Sequence, residues 1–246
     1  MSSVFAEIEG LAKGDYTPFG GRLVGPDDGR PAIGAAALLS VDMQRAIHER
    51  FAQRFPWFDR RATLSIWVKW HLNAVLPPLL MADVLLAWRL PLTLDEVAFI
   101  IADDARTAAM RCEHEGSAST TVDPFERFGE LIFDHFTPLV TLLAARTGLT
   151  RRVLWSNIGN TFEAMLRRIE SVSGRSERLV SADRLLMEPR WPDGRANPLH
   201  GAVHYVGCDR PADRRRKVCC LQYRLPDRRF CTACPIDEAR EAVCAH

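Results

Sequence analysis

Apolar residues recur at helical spacing from Gly34 to Phe55 and from Asp59 to Leu76, and Pro56 and Pro77-Pro78 mark where the two runs should end. Two short apolar runs, 97–101 and 107–112, flank Asp103-Asp104 and predict a hairpin. Asp123-Pro124-Phe125-Glu126 has the form of a helix start, with a capping side chain, a proline in the first turn and a glutamate to close a capping box. From there Phe125, Phe128, Ile132, Phe136, Leu139 and Leu143 keep a helical period to a stop at Gly148, with a kink expected at Pro138. Thr150 caps the next helix, whose stripe runs through Leu154, Ile158, Phe162, Met165, Ile169 and Val172 to Gly174. A shorter helix ends before Pro189. Beyond it, Pro192, Gly194, Asn197 and Pro198 break the pattern. The expected fold is mainly α with a small β component (α+β), a helical domain over 1–198 followed by a short cysteine-rich domain over 199–246.

Composition narrows the function classes. The 246 residues are 47% hydrophobic, and 32 basic against 31 acidic residues leave a net charge of +1. No chain-wide field therefore argues for nucleic acid or an anionic membrane. The N-terminus lacks the basic start and apolar run of a signal peptide. The most apolar stretch, 74–92, is interrupted by Pro77-Pro78, Asp83 and Arg89. The expectation is a cytoplasmic protein without a transmembrane segment, peripheral association with the inner membrane remaining open. Neither G-x-G-x-x-G nor a P-loop occurs, so the chain shows no sign of an internal nicotinamide, flavin or nucleotide site.

Six of the seven cysteines fall in the last segment. Cys219-Cys220, ten residues, Cys231, two residues and Cys234 form a C-C-x10-C-x2-C array. Zinc ribbons usually pair two C-x2-4-C knuckles, which an adjacent Cys-Cys pair fits poorly, and disulfides are disfavoured in a reducing compartment. A cluster of iron and sulfide wants four thiolates and offers separate places for two pairs. The segments 218–225 and 228–231 read as two strands around Pro226-Asp227, which would set Cys219 opposite Cys234 and Gln222 opposite Cys231. Adjacent strand residues point to opposite faces, so Cys219 and Cys220 can share one cluster only if the backbone bends there. The C-x2-C arm would hold one iron and the adjacent pair the other.

The stretches Arg216-Lys-Val-Cys-Cys-Leu-Gln-Tyr-Arg-Leu-Pro226 and Phe230-Cys-Thr-Ala-Cys-Pro235 resemble the C-terminal motif of FhuF-type siderophore-iron reductases. The likeness continues upstream through Asp123-Pro-Phe-Glu-Arg-Phe128 and Val153-Leu-Trp-Ser-Asn157, and covers the first third of the chain only loosely. It implies a [2Fe-2S] cluster on Cys219, Cys220, Cys231 and Cys234. It further implies single-electron reduction of siderophore-bound ferric iron, and a helical domain, similar to part of the siderophore synthetases, that receives the ferric siderophore. An external ferredoxin or flavoprotein would supply the electrons. The alternatives are an iron-sulfur redox or iron sensor without turnover, and a structural zinc module.

Two further groups are candidates. Over 210–230 eight basic residues face two acidic ones, and Arg214, Arg215, Arg216 and Lys217 form a candidate docking patch for an acidic donor or an anionic chelate. A solvated arginine rim is the plainer reading. Trp155, Ser156, Asn157 and Asn160 interrupt an apolar helix and could line a substrate pocket, or be packing and solvent-facing residues. His135 reads as a core histidine and His114 as a loop histidine. Cys112, Cys208 and Cys244 fall outside the motif, with Cys208 near enough to substitute as a ligand. No catalytic acid or base is expected.

Overall fold

The computed structural model describes residues 3–55, 59–206, 214–226 and 228–236. Helix dominates, as the periodicity predicts. The elements are α1 (Val4–Leu11), β1 (Leu23–Val24), β2 (Ile33–Gly34), α2 (Ala35–Leu38), α3 (Val41–Ala52), α4 (Arg60–Leu86), β3 (Trp88–Arg89), β4 (Val97–Ile101), β5 (Thr107–Cys112) and β6 (Ser117–Ala118). They continue with α5 (Pro124–Glu130), α6 (Thr137–Thr147), α7 (Arg151–Ser173), α8 (Glu177–Met187), β7 (Val203–Tyr205) and β8 (Arg214–Arg216). A four-stranded sheet runs in the order β1-β5-β4-β2, with β1 parallel to β5 and the other pairs antiparallel. Two antiparallel ribbons, β3 with β6 and β7 with β8, complete the β component.

The axis of the fold is α4, which is buried along 20 of its 27 residues and packs against α7. The stop expected at Pro77-Pro78 is not made. The helix runs through both prolines to Leu86 and closes on Ala87 in the left-handed conformation, φ 50°. A proline inside a helix costs about 3 kcal/mol through its missing N–H and its ring. Here both rings lie among buried neighbours, and packing rather than propensity sustains the helix. The run from Gly34 is also corrected, since α2 stops at Leu38 and Ser40 starts α3 by accepting a hydrogen bond from Met43 N. Pro56, the expected stop of that run, lies outside the described residues.

Other signals hold. The predicted hairpin pairs Val97 with Cys112 and Phe99 with Met110. Its turn is tied to α4, because Trp67 Nε1 donates to Ala105 O at 2.9 Å and His71 Nδ1 lies 2.9 Å from Thr107 Oγ1. Asp123 and Thr150 cap α5 and α7 through Phe125 N and Val153 N. Glu126 accepts instead from Thr121 Oγ1 at 2.8 Å. The disturbance expected at Pro138 takes the form of a π-helical segment, Leu131–Phe136, joining α5 to α6. Among the described residues, the continuous helix Pro124–Thr147 is long and apolar enough to cross a membrane by length and composition, and 44% of its apolar window is buried within the protein.

Two buried polar groupings bind the layers. Asp83 at the end of α4 receives Arg127 Nε at 3.1 Å and Arg178 Nη2 at 2.8 Å, which joins α4, α5 and α8. His71 and His135 are fully enclosed around Phe99, and burial pushes their imidazoles down to about 3 and about 4. Leu199 and Leu225 belong to the same hydrophobic core as the helices. On α7, a Cβ at Gly159 would come within 2.3 Å of Ala202 Cβ, so the chain leading into β7 lies directly on the helix backbone.

The enclosed histidines generate an acid sensitivity. Their folded pKa values lie below the unfolded value of about 6.5, so the unfolded chain binds more protons and stability falls as the pH drops below that value. Each imidazole should withdraw about 2 kcal/mol by pH 5. Half-buried His48, also held down to about 4, adds a similar share, so thermal melts at pH 7 and pH 5 should show the loss and His135→Phe should remove about a third of it.

Candidate metal centre

The cysteine segment is folded differently from the predicted hairpin. No ladder forms between 218–225 and 228–231 among the described residues; β8 pairs with β7, matching Val203 with Arg216 and Tyr205 with Arg214. Beyond β8, Lys217 N donates to Ala202 O at 2.9 Å and Val218 O accepts from Ser156 Oγ at 3.3 Å. The bend required at the Cys-Cys pair is present one residue on, where Leu221 is left-handed at φ 62° and opens a 3-10 turn over Gln222–Arg224. A two-stranded hairpin alone is marginal in water, whereas the observed path buries Cys220 and Leu225. The arms are joined by side chains: Gln222 Nε2 donates to Arg229 O at 3.1 Å, and Tyr223 stacks on Phe230 at 5.1 Å.

The C-x2-C arm closes as a turn, with Cys234 N donating to Cys231 O at 3.0 Å, and Arg216 N reaches Ala233 O at 2.9 Å. The four cysteines thus share one neighbourhood. Cys220 Sγ lies 3.6 Å from Cys231 Sγ, and Leu221 N donates to Cys219 Sγ at 3.3 Å. Cys220 and Cys234 are buried, and Cys219 and Cys231 half-buried. The hydrogen bond from Cys231, with Lys69 and Arg216 nearby, holds the Cys220 thiol well below its ordinary value. Among the described residues no three His, Cys, Asp or Glu side chains converge as they would around one ion; the sulfurs are spread over two arms.

Two cations from distant parts of the chain complete the site. Lys69 on α4 places Nζ 3.9 Å from Cys220 Sγ and 2.8 Å from Gln222 Oε1. Arg216 is only 1% exposed. Its Nη2 donates to Asn157 Oδ1 and to Ser156 Oγ, while Asn157 Nδ2 donates to Ser65 Oγ at 3.0 Å. Its Nε and Nη1 are buried without a hydrogen-bond partner, and its charge acts on Cys219, Cys220 and Cys231. A buried guanidinium with free donors beside four thiols fits an anionic iron-sulfur group, whose sulfurs accept hydrogen bonds.

The remaining candidates have other partners. Ser156 and Asn157 are buried and turned onto Arg216, and Asn160 Oδ1 accepts from Arg214 Nη1 at 3.1 Å. Trp155 is half-buried against the core. The structure thus brings three of these four residues together with the cysteine segment, whose position they fix. The basic run is likewise turned inward in large part, because Arg214 pairs with Glu163 and Arg216 is enclosed. Arg215 is half-buried, Arg224 pairs with Asp59 at 2.6 Å, and Lys217, Arg228 and Arg229 are exposed. His135 is a core residue, and His114 is exposed beside Glu96. Cys112 is buried with its thiol pushed up to about 12. Cys208 and Cys244 lie outside the described residues. The sequence reading missed Lys69, although a lysine set within Ile66-Trp67-Val68-Lys69-Trp70 is a charge among apolar positions and was a usable signal.

Comparison with known proteins gives a consistent picture. Residues 65–213 match the family profile described as ferric iron reductase FhuF-like transporter, and residues 216–235, which hold all four motif cysteines, match the FhuF 2Fe-2S C-terminal domain. The ferric siderophore reductase of Escherichia coli (strain K12) is 25% identical over 179 residues, covering 72% of this chain and 67% of that protein. Two structures of aerobactin synthetase IucA from a hypervirulent pathotype of Klebsiella pneumoniae share the fold. The ATP-bound form gives a TM-score of 0.54 at 13% identity and the other 0.56 at 12%. Each covers 81% of this chain, which spans about half the length of the synthetase.

Two outcomes test the site. Replacing Cys219, Cys220, Cys231 or Cys234 singly by Ser should lose or shift the visible spectrum and most of the bound iron, whereas Cys112→Ser should leave both unchanged. Lys69→Met removes a positive charge beside Cys220 and should move the reduction potential to more negative values, as read by a spectroscopic redox titration.

Proposed function

This chain belongs to the ferric iron reductase FhuF-like family and carries its 2Fe-2S C-terminal domain, and from that premise we propose that it reduces siderophore-bound ferric iron by single electrons and releases ferrous iron in the cytoplasm. In this reading the region 1–198 receives the ferric siderophore, and the region 199–246 carries a [2Fe-2S] cluster on Cys219, Cys220, Cys231 and Cys234. The observation that carries the reading is the enclosed Arg216, whose Nε and Nη1 are buried without a hydrogen-bond partner and whose charge acts on Cys219, Cys220 and Cys231.

When bound, the cluster supplies a centre that takes up and gives out one electron. The chain's own residues set the conditions. Lys69 and Arg216 place positive charge against the sulfurs, which favours the electron-rich form and, with the hydrogen bond from Cys231, holds the Cys220 thiol below its ordinary value. Ser156 and Asn157 hold Arg216 in place from α7. The outward charges Lys217, Arg228 and Arg229 replace the inward arginines as the proposed docking surface for a ferredoxin or flavoprotein donor. Hard oxygen donors bind ferric iron far more tightly than ferrous iron, so one electron loosens the chelate and frees the metal.

Protein purified without oxygen should contain two irons and two sulfides per chain. After reduction by dithionite it should be reoxidised by a ferric siderophore, with ferrous iron trapped in proportion to the electrons delivered, and NADPH alone should not restart it. Stoichiometric zinc without iron would overturn the cluster. Failure of every ferric siderophore to outpace a simple ferric chelate would overturn the reductase.

A further inference from the structure

A cleft of about 350 Å³ opens to solvent between α4 and α7, within the size range of ligand pockets. It begins next to the cysteine site. Asn73 on its α4 wall is one helical turn, about 6 Å, beyond Lys69. Thr161 on its α7 wall is one turn beyond Asn157, the residue that holds Arg216. The two helices that grip the cysteine segment therefore continue directly into the walls of the cleft.

The lining has a marked charge asymmetry. It includes Arg22 and Arg168, and no carboxylate among the described residues. Arg22 Nη1 donates to Ala108 O at 3.0 Å and Arg168 Nη1 to Asp15 O at 2.6 Å, so each guanidinium is positioned by a backbone carbonyl. Neither pairs with a carboxylate among the described residues. Outside the lining, Arg106 lies 4.4 Å over the Trp70 ring and is itself paired with Asp104 at 2.6 Å, so it adds no unpaired charge. Trp70 and Phe19 add flat apolar surface to the lining. An open, half-apolar cleft with two guanidiniums lacking acidic partners suits a bulky anion with delocalised oxygens.

We propose that this cleft holds the ferric siderophore, and that the chelates it selects carry net negative charge, with carboxylate or catecholate oxygens left to meet Arg22 and Arg168. The assignment rests on the reductase reading. One electron, supplied by the external donor, passes from the reduced protein to the bound ferric chelate; iron falls from ferric to ferrous and the protein returns to its oxidised form. No bond to the protein is made or broken, and the chelate gains one negative charge before it loosens.

Gallium(III) complexes, which have the shape and charge of the ferric ones but are not reduced here, separate binding from electron transfer. An anionic citrate-based gallium hydroxamate should quench tryptophan fluorescence on binding, and more weakly as salt is raised. Arg22→Gln with Arg168→Gln should weaken that binding about tenfold or more and leave a neutral gallium tris-hydroxamate nearly unaffected. Ala164→Trp, in the cleft wall, should exclude both. The visible spectrum and circular dichroism of these variants should match the parent. If the parent binds no anionic gallium chelate, or if the double variant and Ala164→Trp bind it as the parent does, the cleft is not the site. If gallium binding follows the expected pattern but the ferric form fails to reoxidise reduced protein, the site stands and the reductase reading falls. Normal reoxidation in all variants would leave the reductase intact and place its substrate elsewhere.

Discussion

Arg216 sits where a positive charge is costly. It is withdrawn from water, has no carboxylate beside it among the described residues, and leaves two of its nitrogens without a hydrogen-bond partner. Such a group persists only if the surroundings supply compensating charge and hold the side chain in place. The holding is done by Ser156 and Asn157 on α7, and Asn157 is itself secured by Ser65 on α4. Sulfur can supply compensating charge at Cys220, whose thiol is held well below its ordinary value. The arrangement joins α4, α7 and the cysteine segment through one buried guanidinium, and the backbone of the same residue bonds to the C-x2-C arm.

From this follows the placement of α4. A helix enclosed on most sides rarely carries a lysine in its middle, yet Lys69 extends from it to Cys220. The cost of holding an ammonium there is offset by Gln222 and by the thiolate it favours. Two cations from different elements thus act on one sulfur, and both depend on the register between α4 and α7.

Local signals in the sequence were legible where one residue decides one local event. Asp123, Thr150 and Gly148 mark helix ends because their side chains, or the lack of one, satisfy or free specific backbone groups. The cysteine spacing and its resemblance were equally direct. Pro77-Pro78 misled because the rule applies to a helix that water can compete for, and this one is enclosed by neighbours far away in sequence. The 218–231 hairpin misled for a related reason: burial of Leu225 and the bonds from α7 outweigh a weak ladder. The arginine run reads as a surface patch because three consecutive charges usually face water. Only the positions of Asn157, Asn160 and Glu163, fixed by the fold, show that Arg214 and Arg216 turn inward.

Gly159 gives the site a mechanical property. Because no side chain separates α7 from Ala202 there, the entry to the cysteine segment rests on helix backbone. Side chains can change rotamer, but a backbone in contact with a long helix yields little. A redox centre mounted in this way can change charge while its surroundings stay nearly fixed, and little energy is spent on rearranging the protein with each electron. In the proposed reductase, stiffness at the mount, set by the smallest residue in the chain, would therefore serve speed of transfer more than strength of binding.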